Sequence, residues 1–241
     1  MNAPALHISG AARIGATPVF GPLSLRVGAG QWTCLLGPSG VGKTTLLRLI
    51  TGVDEVTSFD GTIAASDGLA LEGRIALMAQ TDLLMPWLDV MDNTLLGARL
   101  RGENPDRARA RDVLDRVGLS DHVHKRPHAL SGGQRQRVAL ARTLMEDRAF
   151  VLLDEPFSAL DARTRSQMQD LACELLRGRT VLMVTHDPAE AARLGDAILI
   201  MEPDGLTPVT PPPGPAPRPE NDPDTLRAQA DLLIRLRDSQ T

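Results

Sequence analysis

The chain has 241 residues, of which 42% are apolar and 23% charged, and its net charge is −4. This balance predicts a globular protein with a sizeable core and excludes a fibrous or wholly disordered chain. It gives no general attraction to nucleic acid, so we expect no nucleic-acid partner. No apolar run approaches the roughly 20 residues that span a bilayer, and the first ten residues lack a signal-peptide pattern, so we expect the chain to stay in the cytoplasm.

Short apolar runs bounded by turn residues predict strands, and apolar residues at helical spacing predict helices. The predicted strands are 23–27, 32–36, 74–80, 150–153, 180–185 and 197–201. The predicted helices are 42–52, 161–176 and a short one from 188. Residues 89–145 predict several further helices, with breaks at 102–105, 118 and 126–127. The alternation of strand and helix indicates an α/β fold with a parallel sheet, and the helical stretch is an insertion.

The composition changes after residue 202 to proline, glycine and polar residues. Residues 203–223 therefore predict an extended linker, and we expect the core to end there. The last segment has leucines at roughly helical spacing and predicts a short amphipathic helix. These leucines are Leu226, Leu232, Leu233 and Leu236. The expected division is one catalytic domain over 1–205, with helices inserted at about 85–145, and a linker with its helix over 206–241.

A glycine-rich segment follows the predicted strand 32–36 and opens the predicted helix 42–52. It fits the pattern G-x-x-x-x-G-K-[ST], in which backbone N–H groups and a helix N-terminus surround phosphate oxygens. Lys43, one of only two lysines, would reach the β and γ phosphates, and Thr44 would ligate Mg²⁺. The alternative is a chance glycine-rich turn, which the neighbouring strand and helix disfavour. The segment is Gly37, Pro38, Ser39, Gly40, Val41, Gly42, Lys43 and Thr44.

The predicted strand 150–153 is followed by two carboxylates. A strand buried on both faces would deliver Asp154 to the magnesium side of a phosphate site, and Glu155 to the position of an attacking water. A helix cap or a surface pair is the alternative for these two residues alone. Together with the phosphate loop, they favour nucleotide hydrolysis.

The segment Leu130-Ser131-Gly132-Gly133-Gln134 resembles the signature motif of ABC ATPases, and the resemblance covers the chain up to about Met201. It implies a P-loop NTPase (RecA-like) core with a parallel-rich sheet, an antiparallel β lobe and an inserted helical subdomain. It also implies ATP and Mg²⁺ as ligands. In that family two subunits pack head to tail, and each signature loop closes on the nucleotide held by the other subunit. We therefore expect a homodimer with two composite sites.

The resemblance assigns roles to the residues that match the family's motifs. Gln80 would sense Mg²⁺ and the attacking water, His186 would contact the γ-phosphate, and the segment 158–161 would cross the dimer interface, although Asp161 also suits an ordinary helix cap. The implied catalytic residues are Lys43, Gln80, Glu155 and His186. The implied metal ligands are Thr44, Gln80 and Asp154. The implied nucleotide contacts are Gly37, Pro38, Ser39, Gly40, Val41, Gly42, Lys43, Thr44, Thr45, Ser131, Gly132, Gly133, Gln134 and Asp161.

One departure from the family concerns the adenine base. The family stacks adenine on an aromatic residue about two dozen residues before the phosphate loop, but this chain has no tyrosine and the position falls near Arg13 and Ile14. The guanidinium of Arg13 is one candidate for stacking on the base, and Phe20, by moving in, is another. Without either, nucleotide selectivity would be loose and affinity would rest on the phosphates.

The segment Leu83–Leu88 is more apolar than a solvated loop, so it predicts either an interface or burial within the helical insertion. In the family this region, directly after Gln80, receives the membrane permease. The run 84–93 also resembles the importers of nitrate, sulfonates, taurine and thiamine pyrimidine precursors, which adds a solute-binding protein as a partner. We therefore expect a peripheral protein on the cytoplasmic face of the cell membrane. The alternative is a soluble ABC-type ATPase in cofactor assembly or repair.

Neither the cysteines nor the clustered histidines predict a further site. Cys34 and Cys173 suit buried apolar positions better than a disulfide or a metal site. His122, His124 and His128 suit surface or helix-contact roles better than metal binding, because no set of carboxylates or cysteines joins them.

Overall fold

The computed structural model describes residues 3–53, 57–203 and 205–238, so the outer limits of the predicted spans, 1 and 241, lie outside the described residues. The strands are β1 Leu6–Ile14, β2 Thr17–Val27, β3 Trp32–Leu36, β4 Thr57–Ala65, β5 Ile75–Met78, β6 Phe150–Asp154, β7 Thr180–Val184, β8 Ala197–Glu202 and β9 Gly205–Val209. The helices are α1 Lys43–Thr51, α2 Val90–Thr94, α3 Leu96–Leu100, α4 Arg107–Arg116, α5 Gly132–Met145, α6 Ala162–Leu175, α7 Pro188–Leu194 and α8 Pro223–Asp238. Two 3₁₀ turns lie at Ser120–His122 and Pro127–Ala129.

A six-stranded sheet in the order β5-β6-β7-β3-β8-β9 forms the centre of the protein. Neighbouring strands are parallel except for β8 and β9, which pair antiparallel. Every residue of β3, β6 and β7 is buried, which explains why these strands are continuous apolar runs rather than alternating ones. The prediction of an α/β P-loop NTPase fold with a parallel-rich sheet is confirmed.

A second sheet is antiparallel, in the order β2-β1-β4. Its inward residues and the apolar side of α1 pack against one face of the large sheet. The helices α2, α4, α5, α6 and α7 contribute to the core on the opposite face. The large sheet is thus covered on both sides, and the carboxyl ends of its parallel strands share one edge, where such sheets bind ligands.

The inserted helices begin at capping residues. Asp89 accepts a hydrogen bond from the N–H of Asp92 at the start of α2, and Asp106 accepts one from Arg109 at the start of α4. Gly102 and Gly118, at two of the predicted breaks, have φ of 72° and 68°, the left-handed region that glycine occupies without strain.

The expectation that the core ends at Pro203 is wrong. Residues 205–209 form β9, which adds a sixth strand to the central sheet. Farther along, Arg218 is 4% exposed and its Nη1 donates to the carbonyl oxygens of Ala192 (3.1 Å) and Gly195 (2.9 Å). The composition suggested a linker, but this segment is held by the backbone pairing of β9, by the buried Arg218 and by the packing of Leu206 and Val209 on the core.

The last helix, α8, packs against the same part of the core. Leu232 is completely buried, and Ala228 and Leu236 pack on the core cluster. Leu226 and Leu233 are 49% and 42% exposed, so only part of the predicted leucine set faces inward.

Candidate functional site

The phosphate loop connects the end of β3 to the start of α1. Gly42 has φ of 105°, which other residues rarely adopt, and a Cβ there would crowd the side chains of Phe20 and Val19 at 3.0 Å, so this position favours glycine. Lys43 is 8% exposed, and its Nζ donates to the carbonyl oxygens of Gly37 (2.7 Å) and Pro38 (2.8 Å). Burial lowers the pKa of Lys43, while the carboxylates of residues 155 and 154 act in the opposite direction. The ammonium group is thus held at the loop, where it would meet phosphate oxygens.

Asp154, at the end of β6, reaches the first turn of α1. Its Oδ2 accepts a hydrogen bond from the hydroxyl of Thr44 at 2.9 Å. Its Oδ1 is buried and has no hydrogen-bond partner among the residues that the structure describes, which is an uncommon state for a carboxylate oxygen. Burial raises the pKa of Asp154, Glu155 raises it further, and Thr44 and Lys43 lower it. A buried oxygen without a donor beside a hydroxyl oxygen is a donor set that suits a hard divalent cation.

Glu155 is contacted from two other strand ends. Its Oε2 accepts from Nε2 of Gln80 at 3.2 Å, just after β5, and its Oε1 lies 3.1 Å from Nδ1 of His186, just after β7. The side chain of Glu155 is 18% exposed, and that of His186 is 61% exposed. The structure therefore brings together three residues that are far apart in the sequence, at the edge where the strands end.

The backbone of Glu155 is held by Gln136 on α5, a residue that the sequence did not predict to belong to the site. Glu155 has φ of 49°, a strained value for a residue that is not glycine. Its carbonyl oxygen accepts from Nε2 of Gln136 at 3.0 Å, and Oε1 of Gln136 accepts from the N–H of Ala159 at 2.8 Å. The same Nε2 lies 3.3 Å from the hydroxyl of Ser158. Gln136 is 7% exposed and stands on α5, so the helix that begins at the signature segment holds the segment 155–159.

The phosphate loop, Asp154, Glu155 and Gln80 all line one cleft of about 440 Å³. The apolar part of the lining comes from Ile14, Pro18 and Val19. Phe20 is 3% exposed and packs in the core, so its ring does not face the cleft. Arg13 is exposed but is not among the lining residues. Among the described residues the apolar lining is thus aliphatic, and Phe20 would have to leave the core to stack on a base, so the adenine contact stays a prediction.

The signature segment lies outside the cleft lining found among the described residues. Ser131 caps α5: its hydroxyl accepts from the N–H of Gln134 (3.2 Å), and the side chain of Gln134 accepts from the N–H of Ser131 (2.8 Å). His122, predicted as a helix contact, lies 2.6 Å from Nε2 of Gln134. Ser131 and Gly132 are exposed, and Asp161 is an exposed N-cap of α6. The described residues thus include a second exposed helix N-terminus that is capped like a phosphate site and is not part of the cleft lining.

The fold and the cleft together define a P-loop ATPase of the ABC type. The family model for ABC transporters matches residues 20–158, which is more than half of the chain. The chain therefore belongs to the ABC transporter family, and it is an ATP-binding, ATP-hydrolysing member of it. The resemblance drawn from residues 130–134 is confirmed.

Several curated relatives are similar over most of their length. An uncharacterized ABC transporter ATP-binding protein of Haemophilus influenzae is 48% identical over 185 residues, 76% of this chain and 75% of the relative. The aliphatic sulfonates import ATP-binding protein SsuB 2 of Agrobacterium fabrum is 48% identical over 192 residues, 77% of this chain and 71% of the relative. SsuB 1 of Rhodococcus jostii is 45% identical over 193 residues, 79% of this chain and 76% of the relative. The similarity is to ATP-binding subunits of the importer branch.

A solved structure shares the fold. The structure of a bacterial Atm1-family ABC exporter with ATP bound superposes with a TM-score of 0.78 at 24% identity, covering 97% of this chain and 42% of that chain. None of the helices in the ranges 3–53, 57–203 and 205–238 is long and apolar enough to cross a membrane.

Proposed function

We propose that this chain is the ATPase subunit of an importer for a small anionic solute of the sulfonate class, acting as a homodimer on a membrane permease at the cytoplasmic face. The observation that carries the proposal is the cleft in which the phosphate loop, Asp154, Glu155 and Gln80 meet. The names of the relatives supply the solute class. A solute-binding protein is the expected third partner.

Each residue of the site would have a separate role in ATP hydrolysis. Lys43 and the loop N–H groups would hold the phosphates, since the lysine is already buried at the loop. Glu155 would orient a water molecule and accept its proton, because its carboxylate is held between Gln80 and His186. His186, with its exposed ring, would position the γ-phosphate. Positioning of this kind accounts for most of the catalysis of phosphoryl transfer, because the protein forms no covalent bond to the phosphoryl group.

Mg²⁺ fits the residues present. The unpartnered Oδ1 of Asp154 and the hydroxyl of Thr44 would hold it, with Gln80 on the same cleft wall. Bound there, the ion would neutralise charge on the phosphate oxygens. Asp154 must be ionised to hold the ion, so its raised pKa predicts weaker magnesium binding as the pH falls.

The second exposed helix N-terminus supports the homodimer. One nucleotide needs a single phosphate cradle, yet Ser131 and Gly132 present another that lies outside the cleft lining of the described residues. A second copy related by a twofold axis would close its own exposed segment over the first cleft. The side chain of Gln136, which links α5 to the backbone of Glu155, would then connect the two sites.

The segment 83–88 suits the docking of a permease. Leu83 is 58% exposed and Trp87 is 66% exposed, so the prediction of an interface fits these two residues, whereas Leu84 is buried at 9%. The buried side chain of Asn93 holds this segment by accepting from the N–H of Met85 (2.8 Å) and donating to three backbone carbonyls. An exposed tryptophan is a typical anchor at an interface, because its large side chain has only two rotatable bonds and loses little freedom on binding.

Uptake of labelled ethanesulfonate tests the proposal, in a host strain lacking this gene and complemented with the wild type, Glu155→Gln, Trp87→Ser or Leu100→Ser. We expect the wild type and Leu100→Ser to restore uptake, because Leu100, at 78% exposed, lies outside the segment 83–88. Glu155→Gln would abolish uptake because it abolishes ATP hydrolysis. Trp87→Ser would abolish uptake although the purified variant still hydrolyses ATP. Uptake that is independent of the gene would instead support a soluble ABC-type ATPase, and uptake of nitrate or taurine alone would change the solute class.

A further inference from the structure

The side-chain amide of Gln134, in the signature segment, is held at both of its ends. Its Oε1 accepts from the backbone N–H of Ser131 at 2.8 Å, which fixes which end of the amide is the oxygen. Its Nε2 is therefore a donor only, and it lies 2.6 Å from Nε2 of His122. The acceptor in this hydrogen bond is the lone pair of the imidazole nitrogen.

This contact determines which ring nitrogen of His122 carries the proton. A neutral imidazole has one N–H and one acceptor nitrogen, and Nε2 is the acceptor here, so the proton lies on Nδ1. Nδ1 is buried and has no hydrogen-bond partner among the described residues. A buried donor without a partner is unfavourable, so the bond to Gln134 is what holds the ring in this tautomer.

The 3₁₀ turn that carries His122 is anchored on both sides. Before the turn, the carbonyl oxygen of Val117 accepts from Nη1 of Arg137 on α5 at 2.7 Å. After it, the carbonyl oxygen of Val123 accepts from the N–H of Met91 on α2 at 3.0 Å. The imidazole is therefore presented from a fixed backbone.

We infer that His122 is a positioning residue of the composite ATP site, where its Nε2 holds the amide of Gln134 and thereby the capping box that starts α5. This inference rests on the homodimer proposed above. The capping box uses the N–H of Ser131 and the N–H of Gln134. The N–H groups of Gly132 and Gly133 are then the donors at this helix start that no described residue uses. They are the groups available to a phosphate held by the second copy.

Loss of the acceptor on His122 would free the amide of Gln134 to turn. The amide could then rotate its NH₂ group toward the N–H of Ser131, and the capping box would be lost. The start of α5 would fray, so the two glycine N–H groups would no longer have a fixed direction. No residue of the phosphate loop 37–44 takes part in these contacts, so the effect is confined to the steps that need the second copy.

The alternative is that His122 only fills space beside α5. Two substitutions separate the hydrogen-bond acceptor from the bulk of the side chain. His122→Leu keeps apolar bulk and removes the acceptor, whereas His122→Gln removes the ring and can place an amide oxygen at about the reach of the imidazole Nε2. A packing role predicts that both variants are impaired, and a positioning role predicts that only the first is.

Nitrogen-15 NMR of the histidine rings in the full chain tests the contact without any substitution in the molecule observed. The spectrum is recorded at about pH 8.5, well above the usual histidine pKa of about 6.5. The signals of His122 are identified as those that His122→Gln lacks. We expect its proton on Nδ1, and a ring with its proton on Nε2 would overturn the inference.

ATP hydrolysis by the purified variants tests the functional part. We expect His122→Leu to lower kcat at least about tenfold, because the signature segment is no longer held in place, and His122→Gln to recover most of it. At low protein concentration, both variants should bind a fluorescent ATP analogue within about twofold of the wild type. His124→Leu is the matched control, since the side chain of His124 is 86% exposed, and it should change neither quantity.

Sedimentation of Glu155→Gln with ATP separates this inference from the proposed function. We expect a dimer that is weakened when His122→Leu is added. If the dimer is unchanged and kcat of His122→Leu equals that of the wild type, the role of His122 is refuted and the proposed homodimer stands. An equal loss of kcat in His122→Leu and His122→Gln would assign His122 a packing role and would also refute it. If Glu155→Gln stays monomeric with ATP, the homodimer itself fails and the inference fails with it.

Discussion

Gln136 offers a direct test of how the active site is held. Its side chain makes three hydrogen bonds, to the carbonyl of Glu155, the hydroxyl of Ser158 and the N–H of Ala159. Gln136→Leu keeps the approximate volume and removes all three. At about 1 kcal/mol for each bond, we expect the free energy of unfolding to fall by about 3 kcal/mol. The larger effect should be on catalysis, since the strained backbone of Glu155 loses the group that holds its carbonyl.

The expected kinetic signature is a fall in kcat with little change in ATP affinity. A displacement of about 1 Å at a positioned catalytic group costs on the order of a hundredfold in rate, so at least a tenfold fall in kcat is expected. None of the three bonded groups belongs to the phosphate loop 37–44, so binding of ATP should remain within about twofold. Steady-state hydrolysis, titration with a fluorescent ATP analogue and urea denaturation measure the three quantities.

Thr143→Val is the matched control. Thr143 is also a buried polar residue on α5, 4% exposed, but its hydroxyl donates to the carbonyl of Ala139 within the same helix (3.0 Å) and bonds no other described residue. We expect a loss of about 1 kcal/mol of stability and unchanged kcat. If Gln136→Leu loses stability and keeps kcat within about twofold of the wild type, then Gln136 does not position Glu155, and the reasoning is refuted.

Three further predictions concern the metal, the pH and the tail. Thr44→Val should raise the Mg²⁺ concentration for half-maximal hydrolysis about tenfold. Thr33→Val should not, because the buried Thr33 hydroxyl has no partner among the described residues and is not part of the cleft lining. Burial raises the pKa of Glu190 from 4.5 to about 7, because it favours the neutral carboxyl group in the folded protein. The contribution of this group to the free energy of unfolding is therefore full below about pH 4.5 and is lost as the pH rises through 7 and the carboxylate forms. Urea denaturation should therefore show Glu190→Gln gaining about 3 kcal/mol over the wild type between pH 4.5 and 8.5, and a constant difference would contradict this account. Arg218→Ala should lower the free energy of unfolding by about 2 kcal/mol and make residues 205–223 accessible to protease, while Arg235→Ala on the exposed side of α8 should do neither.

The phosphate loop and the residues at the strand ends could be predicted from the sequence for a physical reason. A parallel sheet aligns the carboxyl ends of its strands, so residues that directly follow an apolar run must gather at one edge. This brings Gln80, Asp154, Glu155 and His186 near the loop even though they are spread over more than a hundred residues. The catalytic roles of these residues remain predictions.

Contacts between different helices and strands could not be predicted from the sequence. The contact of Gln136 with residues 155–159 depends on how α5 packs beside the sheet, which no spacing encodes. Phe20 was a reasonable aromatic candidate, but the alternation of β2 turns its ring into the core, and the register of an edge strand is not visible in one sequence. The strand at 205–209 was missed because proline and glycine usually oppose strand formation.

Complementation between two inactive variants tests the central claim most directly, namely that each ATP site is built from two copies of this chain. Lys43→Ala removes the phosphate lysine and Ser131→Arg blocks the signature segment, and each purified variant alone should not hydrolyse ATP. Mixed in equal amounts, half of the dimers would contain one intact composite site, so hydrolysis should recover to about a quarter of the wild-type rate. No recovery in the mixture, at protein concentrations where the wild type is active, would contradict the account.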